Sequence, residues 1–333
     1  MKKILHLIFG RFFVVAMAII LQVLWLCVVL WQLSYKFTYV NLLVRVIAII
    51  VVLVIVNKWT NPANKLSWTF LILLSPIFGL MVYFLFGRSG LTKHTRERMD
   101  AVNRQVEALF QRDSAVEKGL EKESRSAYLQ SSYIDKWAGF PLYQNTQTKY
   151  YSCGEEMFPD MLEALRGAKH FIFLEYFIIE EGYMFNTILD ILEEKAKAGV
   201  DVRFIYDDVG SINSISFGYY KKLQERGIPC VTFNPFKPLI SVVMNNRDHR
   251  KIFVVDGYIG FTGGINLADE YINKVKRFGY WKDTGVRIEG EAVWSLTAMF
   301  LEMWNYINRS TEDYSRFLPS VYREKEFTSD GFV

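Results

Sequence analysis

Cysteine and histidine are scarce in this 333-residue chain, and neither is clustered. The three cysteines, Cys27, Cys153 and Cys230, stand far apart. A disulfide framework and a CxxC metal site are therefore both excluded. Charge of either sign is in short supply too. Only 22 % of residues are charged against 51 % hydrophobic, which argues against a disordered or fibrous protein. The balance of 39 Lys+Arg over 35 Asp+Glu, a net +4, is too mild to imply a nucleic-acid partner. No internal repeat is visible. The length allows about two ordinary domains. The mean hydropathy of +0.11 is raised by the part before Arg88, and the remainder has enough apolar residues for a soluble core.

Three stretches before Arg88 have bilayer character. Phe12 to Trp31 has Gln22 as its only polar side chain, long enough to span about 30 Å of hydrocarbon. Leu42 to Val56 is apolar apart from Arg45, which can snorkel outward. Leu66 to Phe86 carries Pro76 and Gly79 near its middle. Trp31, Tyr35, Tyr39, Trp59 and Trp68 sit between them, where interfacial aromatics belong. The first stretch is too long for a cleaved signal peptide and lacks a small-residue cleavage site. A multi-span anchor is expected over 1–88. Lys2, Lys3 and Arg11 favour a cytoplasmic N-terminus, and Arg88, Lys93, Arg96, Arg98 and Arg104 a cytoplasmic soluble part. Both hold together if the third segment re-enters or lies in the interface, or if the first dips without crossing.

Residues 89–136 form a charged segment with apolar residues at helical intervals (Met99, Val102, Val106, Leu109, Phe110). They predict an amphipathic linker helix at the membrane surface, or a solvated helix bridging two parts. A globular pattern follows over 137–333. Helices are expected at Met157–Ala168, Tyr183–Ala198, Phe217–Arg226 and Ala292–Asn308. Strands are expected at His170–Ile179, Val200–Tyr206, Pro229–Phe233 and Val286–Ile288. Alternating strands and helices predict an α/β sheet with parallel pairs. Asp256-Gly257, between Ile252–Val255 and Tyr258–Phe261, signals a hairpin with a type I′ turn.

Of the four histidines, His6, His94 and His170 lack company at a catalytic spacing. His249 stands in Asn245-Asn-Arg-Asp-His-Arg-Lys251, directly before the hairpin. On an extended chain His249 and Lys251 point one way and Arg250 the other. An imidazole can attack phosphorus while an ammonium opposes the charge on its oxygens. Asn266 can offer an amide donor to the same phosphate, and Gly263-Gly264 can let backbone N–H groups approach it. A plain basic loop before a hairpin is the alternative reading of the same residues.

The string His249-x-Lys251-x4-Asp256-Gly257-x5-Gly263-Gly264-x-Asn266 resembles the HxKxxxxD signature of the phospholipase D superfamily, in the form carried by bacterial cardiolipin synthases. Further likeness lies in Pro76…Tyr83…Phe86-Gly87-Arg88, Leu174-Glu175-Tyr176-Phe177, Gly199–Arg203, Asp207–Ser211 and Trp281-Lys282-Asp283-Thr284. The resemblance covers essentially the whole chain. It implies N-terminal transmembrane helices followed by one phospholipase D-type α/β half, a mixed sheet flanked by helices. It also implies a metal-independent phosphatidyl transfer, without cofactor, that joins two phosphatidylglycerol molecules into cardiolipin and releases glycerol. His249, Lys251 and Asp256 become the catalytic candidates, with Asp256 read as structural or supporting rather than as a phosphate contact. Lys251, Asn266 and Gly264 would bind phosphate, and Asp283 would orient the histidine. The expected location is the cell membrane, multi-pass, with the catalytic part cytoplasmic.

The family carries two such motifs, the second supplying a general acid. After His249 this chain has no histidine. Three accounts are open: a fragment of a longer product, a homodimer in which each copy supplies one motif, or a silent membrane-bound partner. A phospholipase D-like hydrolase is the alternative activity, and no nucleic acid is expected as partner.

Overall fold

The computed structural model describes residues 17–25, 28–29, 38–87, 93–235, 246–310, 312–322, 329 and 331–333. These separate into two compact units, one of residues up to 91 together with Asn246, and one of residues 92–235 and 247–333.

The N-terminal unit contains α1 (Thr38–Asn57), α2 (Pro62–Leu74) and α3 (Pro76–Phe86). Among the described residues one helix, Tyr39–Asn57, is long and apolar enough to cross a membrane by length and composition. Much of the Phe12–Trp31 stretch lies outside the described residues. The expected continuous stretch Leu66–Phe86 is instead two helices. Pro76 has no N–H to donate and disfavours helical backbone at the residue before it; Ser75 accordingly sits at φ −140°. Gly79 lets α3 approach α2 closely, since a Cβ there would lie 2.5 Å from the Cα of Ile72.

The second unit opens with α4 (Lys93–Glu107), α5 (Ser114–Glu123) and α6 (Arg125–Ala138). Asp113 and Ser124 accept from the first-turn amides of α5 and α6, satisfying donors that a helix start leaves open. Val106 of α4 is fully buried in a core cluster that Val102, Leu109 and Phe110 also join, so this apolar stripe faces protein. The chain continues through β1 (Thr146–Tyr151), α7 (Gly154–Gly167), β2 (Phe171–Tyr176), α8 (Tyr183–Lys197), β3 (Asp201–Asp207), α9 (Tyr219–Glu225) and β4 (Cys230–Phe233). After the undescribed segment come β5 (Ile252–Val255), β6 (Ile259–Gly263), a 3₁₀ turn (Asp269–Ile272), β7 (Gly285–Gly290) and α10 (Val293–Asn308). Strand β1 is an element that the hydrophobic pattern missed. Its residues TQTKYY are polar because four of the six face solvent at the sheet edge.

The seven strands form one mixed sheet in the order β1-β7-β6-β5-β2-β3-β4. Pairs β2/β3 and β3/β4 are parallel; the other four are antiparallel. Alternation along the strands divides the core between the two faces. Ile172, Leu174, Phe204 and Phe253 pack with Leu165, Ile188 and Leu189 of α7 and α8. Phe171, Phe173, Ile205 and Val254 pack with Phe300 and Leu301 of α10 and with Val106. The central strand β2 is buried along its length, as its continuous apolar run predicts.

Candidate active site

Sheet topology gathers the site. Strands β2, β3 and β4 end where β5 begins, because Glu175 pairs with Ile252 across the antiparallel β2/β5 ladder. Gly263, the last residue of β6, pairs with Gly285, the first of β7, at that same sheet end. The connections after β2 and β3, the residues that lead into β5 and the β6–β7 connection therefore converge at the carboxyl ends of the parallel strands, the usual place for a ligand crevice in an open α/β sheet. His249, Lys251, Asn266 and Asp283 come from these loops.

His249 and Lys251 lie side by side. The Lys251 Nζ donates to the His249 carbonyl at 2.9 Å and stands 3.4 Å from its Nδ1. The Phe177 ring packs on the imidazole at 4.5 Å between centroids, with the Lys251 ammonium 5.5 Å above the same ring. Lys251 is buried, and that burial holds its pKa below the usual lysine value, while Asp283 and then Asp248 oppose the shift. The Asp283 Oδ1 accepts from the Thr284 N–H at 2.9 Å. A Cβ at Gly264 would lie 1.9 Å from the Asp283 Oδ1, so only glycine leaves room for that carboxylate. The Gly264 N–H is itself spent on the Thr284 carbonyl. This residue contributes space, which corrects the expectation of a phosphate-binding amide. Asn266 is buried, its Oδ1 accepting from the Ile178 N–H at 3.0 Å and its Nδ2 donating to the Tyr271 hydroxyl at 2.8 Å. An amide nitrogen carries two hydrogens, so a second donor remains for an anion.

Asp256 is not brought to this place. It lies at the far end of β5, five residues of extended chain or roughly 16 Å from Lys251. Its Oδ2 accepts from the Lys169 N–H at 2.8 Å; its Oδ1 accepts from His170 and Phe171 at 2.7 and 2.8 Å. With φ of +49° at Asp256 and +72° at Gly257, the turn has the two left-handed positions that a type I′ hairpin needs.

Two supports were not legible in advance. Asp207, at the end of β3, accepts from the N–H groups of Val209, Gly210 and Asp248, tying the loop after β3 to the segment that delivers His249. Beneath the histidine, Arg250 points to the opposite sheet face, as alternation requires. Its Nη2 lies 2.6 Å from the Glu175 Oε1 and its Nε 3.0 Å from the Asp248 Oδ1. Burial pushes the Glu175 carboxyl well above the usual carboxylate range; the neighbouring Asp248 adds to the rise and Arg250 opposes it. Against the cost of burial, Asp248 is held below its ordinary value by its neighbours Glu175 and Arg250. Glu302 of α10, also against Arg250, is pushed up to about 7 by burial. The visible signals were Glu175, a carboxylate inside an apolar strand, and Asp207 in the string Asp207–Ser211, neither with a role assigned from the sequence.

Residues 161–304 match the family model described as "Cardiolipin synthase, PLD-like domain", and residues 46–88 match "Phospholipase_D-nuclease N-terminal". Cardiolipin synthase 1 of Bacillus anthracis is 35 % identical over 286 residues, 84 % of this chain and 55 % of that protein. Over residues 161–304 the chain therefore carries a cardiolipin synthase-type, phospholipase D-like domain. An uncharacterized protein of Streptococcus mutans shares 39 % identity over 85 % of this chain and 60 % of its own length. A cardiolipin synthase of Geobacillus sp. shares 35 % over 81 % and 54 %. The chain thus spans a little over half the length of these cardiolipin synthase relatives. The mixed α/β sheet with helices on both faces contains most of the matched residues 161–304.

Proposed function

We propose that this chain supplies the His249 half-site of a phosphatidyltransferase that forms cardiolipin and glycerol from two molecules of phosphatidylglycerol. A ring nitrogen of His249 attacks the phosphorus of the first lipid. The P–O bond to the terminal glycerol breaks, and the departing oxygen takes a proton. The terminal hydroxyl of the second lipid then attacks phosphorus, the P–N bond breaks, and the hydroxyl proton leaves to a base. Lys251 and the second Asn266 N–H hold the non-bridging oxygens. Asp283 orients the histidine and stabilises its imidazolium. Asp256 clamps the hairpin to the start of β2 and takes no part in the chemistry. A second HxKxxxxD motif, from a further half or from a second copy, supplies the acid. The N-terminal helices hold the site at the cell membrane, in several passes, with the catalytic unit cytoplasmic.

The observation that carries this reading is the imidazole and ammonium in contact at the sheet end where Asp283 and Asn266 converge. The test incubates the chain in phosphatidylglycerol vesicles, alone and with a separately supplied second half, beside His249→Ala. Cardiolipin with an equal amount of glycerol, lost in the variant, is the expected result. Phosphatidic acid as main product would make the enzyme a hydrolase. No product in either arm, with no dimer on crosslinking, would leave a silent membrane partner.

A further inference from the structure

The loop from Asn273 to Asp283 has a composition that the site does not use. Seven consecutive residues, Lys274 to Tyr280, are exposed. Among them Phe278 is 77 %, Tyr280 67 % and Val275 51 % accessible, a run of neighbouring exposed apolar side chains. Cations are interleaved with these apolar side chains: Lys274, Lys276, Arg277 and, past Trp281, Lys282. Arg277 is committed to Glu270 and Glu180, and the Lys274 ammonium sits over the Tyr183 ring. Lys276 and Lys282 form no ion pair among the described residues.

The loop's neck is rigid. Asn273 Nδ2 donates to the Trp281 carbonyl and to Glu155, and its Oδ1 accepts from the Trp281 N–H. Trp281 packs on Tyr271, whose hydroxyl holds Asn266. Two residues beyond Trp281 stands Asp283. The exposed tip is thus built onto the same frame that positions the candidate phosphate site.

We propose that Lys274–Lys282 is an interfacial loop that docks on an anionic bilayer, Phe278 and Val275 entering the head-group boundary while Lys276 and Lys282 meet lipid phosphates. Exposed aromatic and aliphatic residues cost little only where the surface they meet is apolar beneath a polar layer, and the unpaired lysines complement negative head groups. A bilayer is favoured as occupant because the same chain carries the apolar helix Tyr39–Asn57. This proposal rests on the reading above in one respect, that the site takes its substrate from a lipid surface.

The full chain carrying Cys27→Ser, Cys153→Ser and Phe278→Cys, labelled with a small fluorophore, tests it. The buried Cys230 is shielded from labelling, and a label at Lys221→Cys on α9 is the control. In phosphatidylglycerol vesicles the label at 278 is quenched by nitroxide lipid and protected from aqueous iodide; at 221 the pattern is reversed. In phosphatidylcholine vesicles, or with Lys276→Gln and Lys282→Gln, nitroxide quenching at 278 falls severalfold. Two results would overturn the proposal: iodide access unchanged on anionic vesicles, or shielding from both quenchers, which means that protein covers the loop. Cardiolipin formation is measured in the same vesicles with the second half supplied. Lipid quenching without product would end the catalytic reading and leave the docking loop; product without quenching would do the reverse.

Discussion

Asp256→Asn separates a structural clamp from a catalytic carboxylate within one signature motif. The parent carboxylate is 1 % exposed and serves three backbone N–H groups. Asparagine tolerates the left-handed backbone at this turn position, so the side-chain effect is isolated. The Asn oxygen can keep the amides of His170 and Phe171, now as neutral bonds, at a cost of about 0.5–1 kcal/mol each. Its NH₂ group faces the Lys169 N–H, donor against donor, and a charge-assisted bond worth about 1.5–3 kcal/mol is lost outright. The expected destabilisation is about 3–4 kcal/mol, several degrees or more in the melting temperature of the second unit. Urea unfolding followed by tyrosine and tryptophan fluorescence reads the stability. Capture of a labelled phosphatidyl group on His249 reads the chemistry per folded molecule. Folded Asp256→Asn should retain most of that capture, whereas His249→Ala abolishes it. A variant as stable as the parent but as inert as His249→Ala would refute the clamp.

Glu302→Gln should flatten the stability–pH profile. A carboxyl raised in the folded state to about 7 stabilises fully below its unfolded value near 4.5 and loses that contribution as pH rises through 7. The parent should lose up to about 3 kcal/mol over that window, and the variant little of it; equal slopes in chemical unfolding would count against the buried position. Arg250→Met strands two or three carboxyl groups and should cost about 3–5 kcal/mol by the same measurement. Gly264→Ala pushes a methyl into the Asp283 carboxylate. Turnover should fall at least about tenfold with stability within about 1 kcal/mol, and Asp283→Ala in the same chain should add little further loss. Lys251, held below the ordinary lysine value, should give an alkaline limb of activity at lower pH than a solvated lysine allows, and a pH–rate profile reads it.

Periodicity and punctuation made most of the second unit legible. The continuous apolar run at β2 and the Asp-Gly turn of the β5/β6 hairpin each have a local physical cause, and the structure places both within a few residues of expectation. Elements whose cause is not local escaped. Strand β1 is an edge strand with a polar face, and Thr146 is buried only through its partners on β7. The helices α5 and α6 are short and capped by single residues that pattern reading passes over. The proline break at Ser75–Pro76 was visible as a residue, but whether it bends a helix or ends one depends on what the two halves pack against.

Chain order alone held the available chemistry: one imidazole with an ammonium two residues on, a family signature, and an apolar N-terminal quarter. Only the tertiary structure decided which of those groups can meet. Register across β2, β5, β6 and β7 brings His249, Lys251, Asn266 and Asp283 to one end of the sheet, and sends Asp256 to the other. Chain order cannot encode that division. A strand carries its two ends about 3.3 Å per residue apart, and the pairing of distant strands decides which end each loop shares.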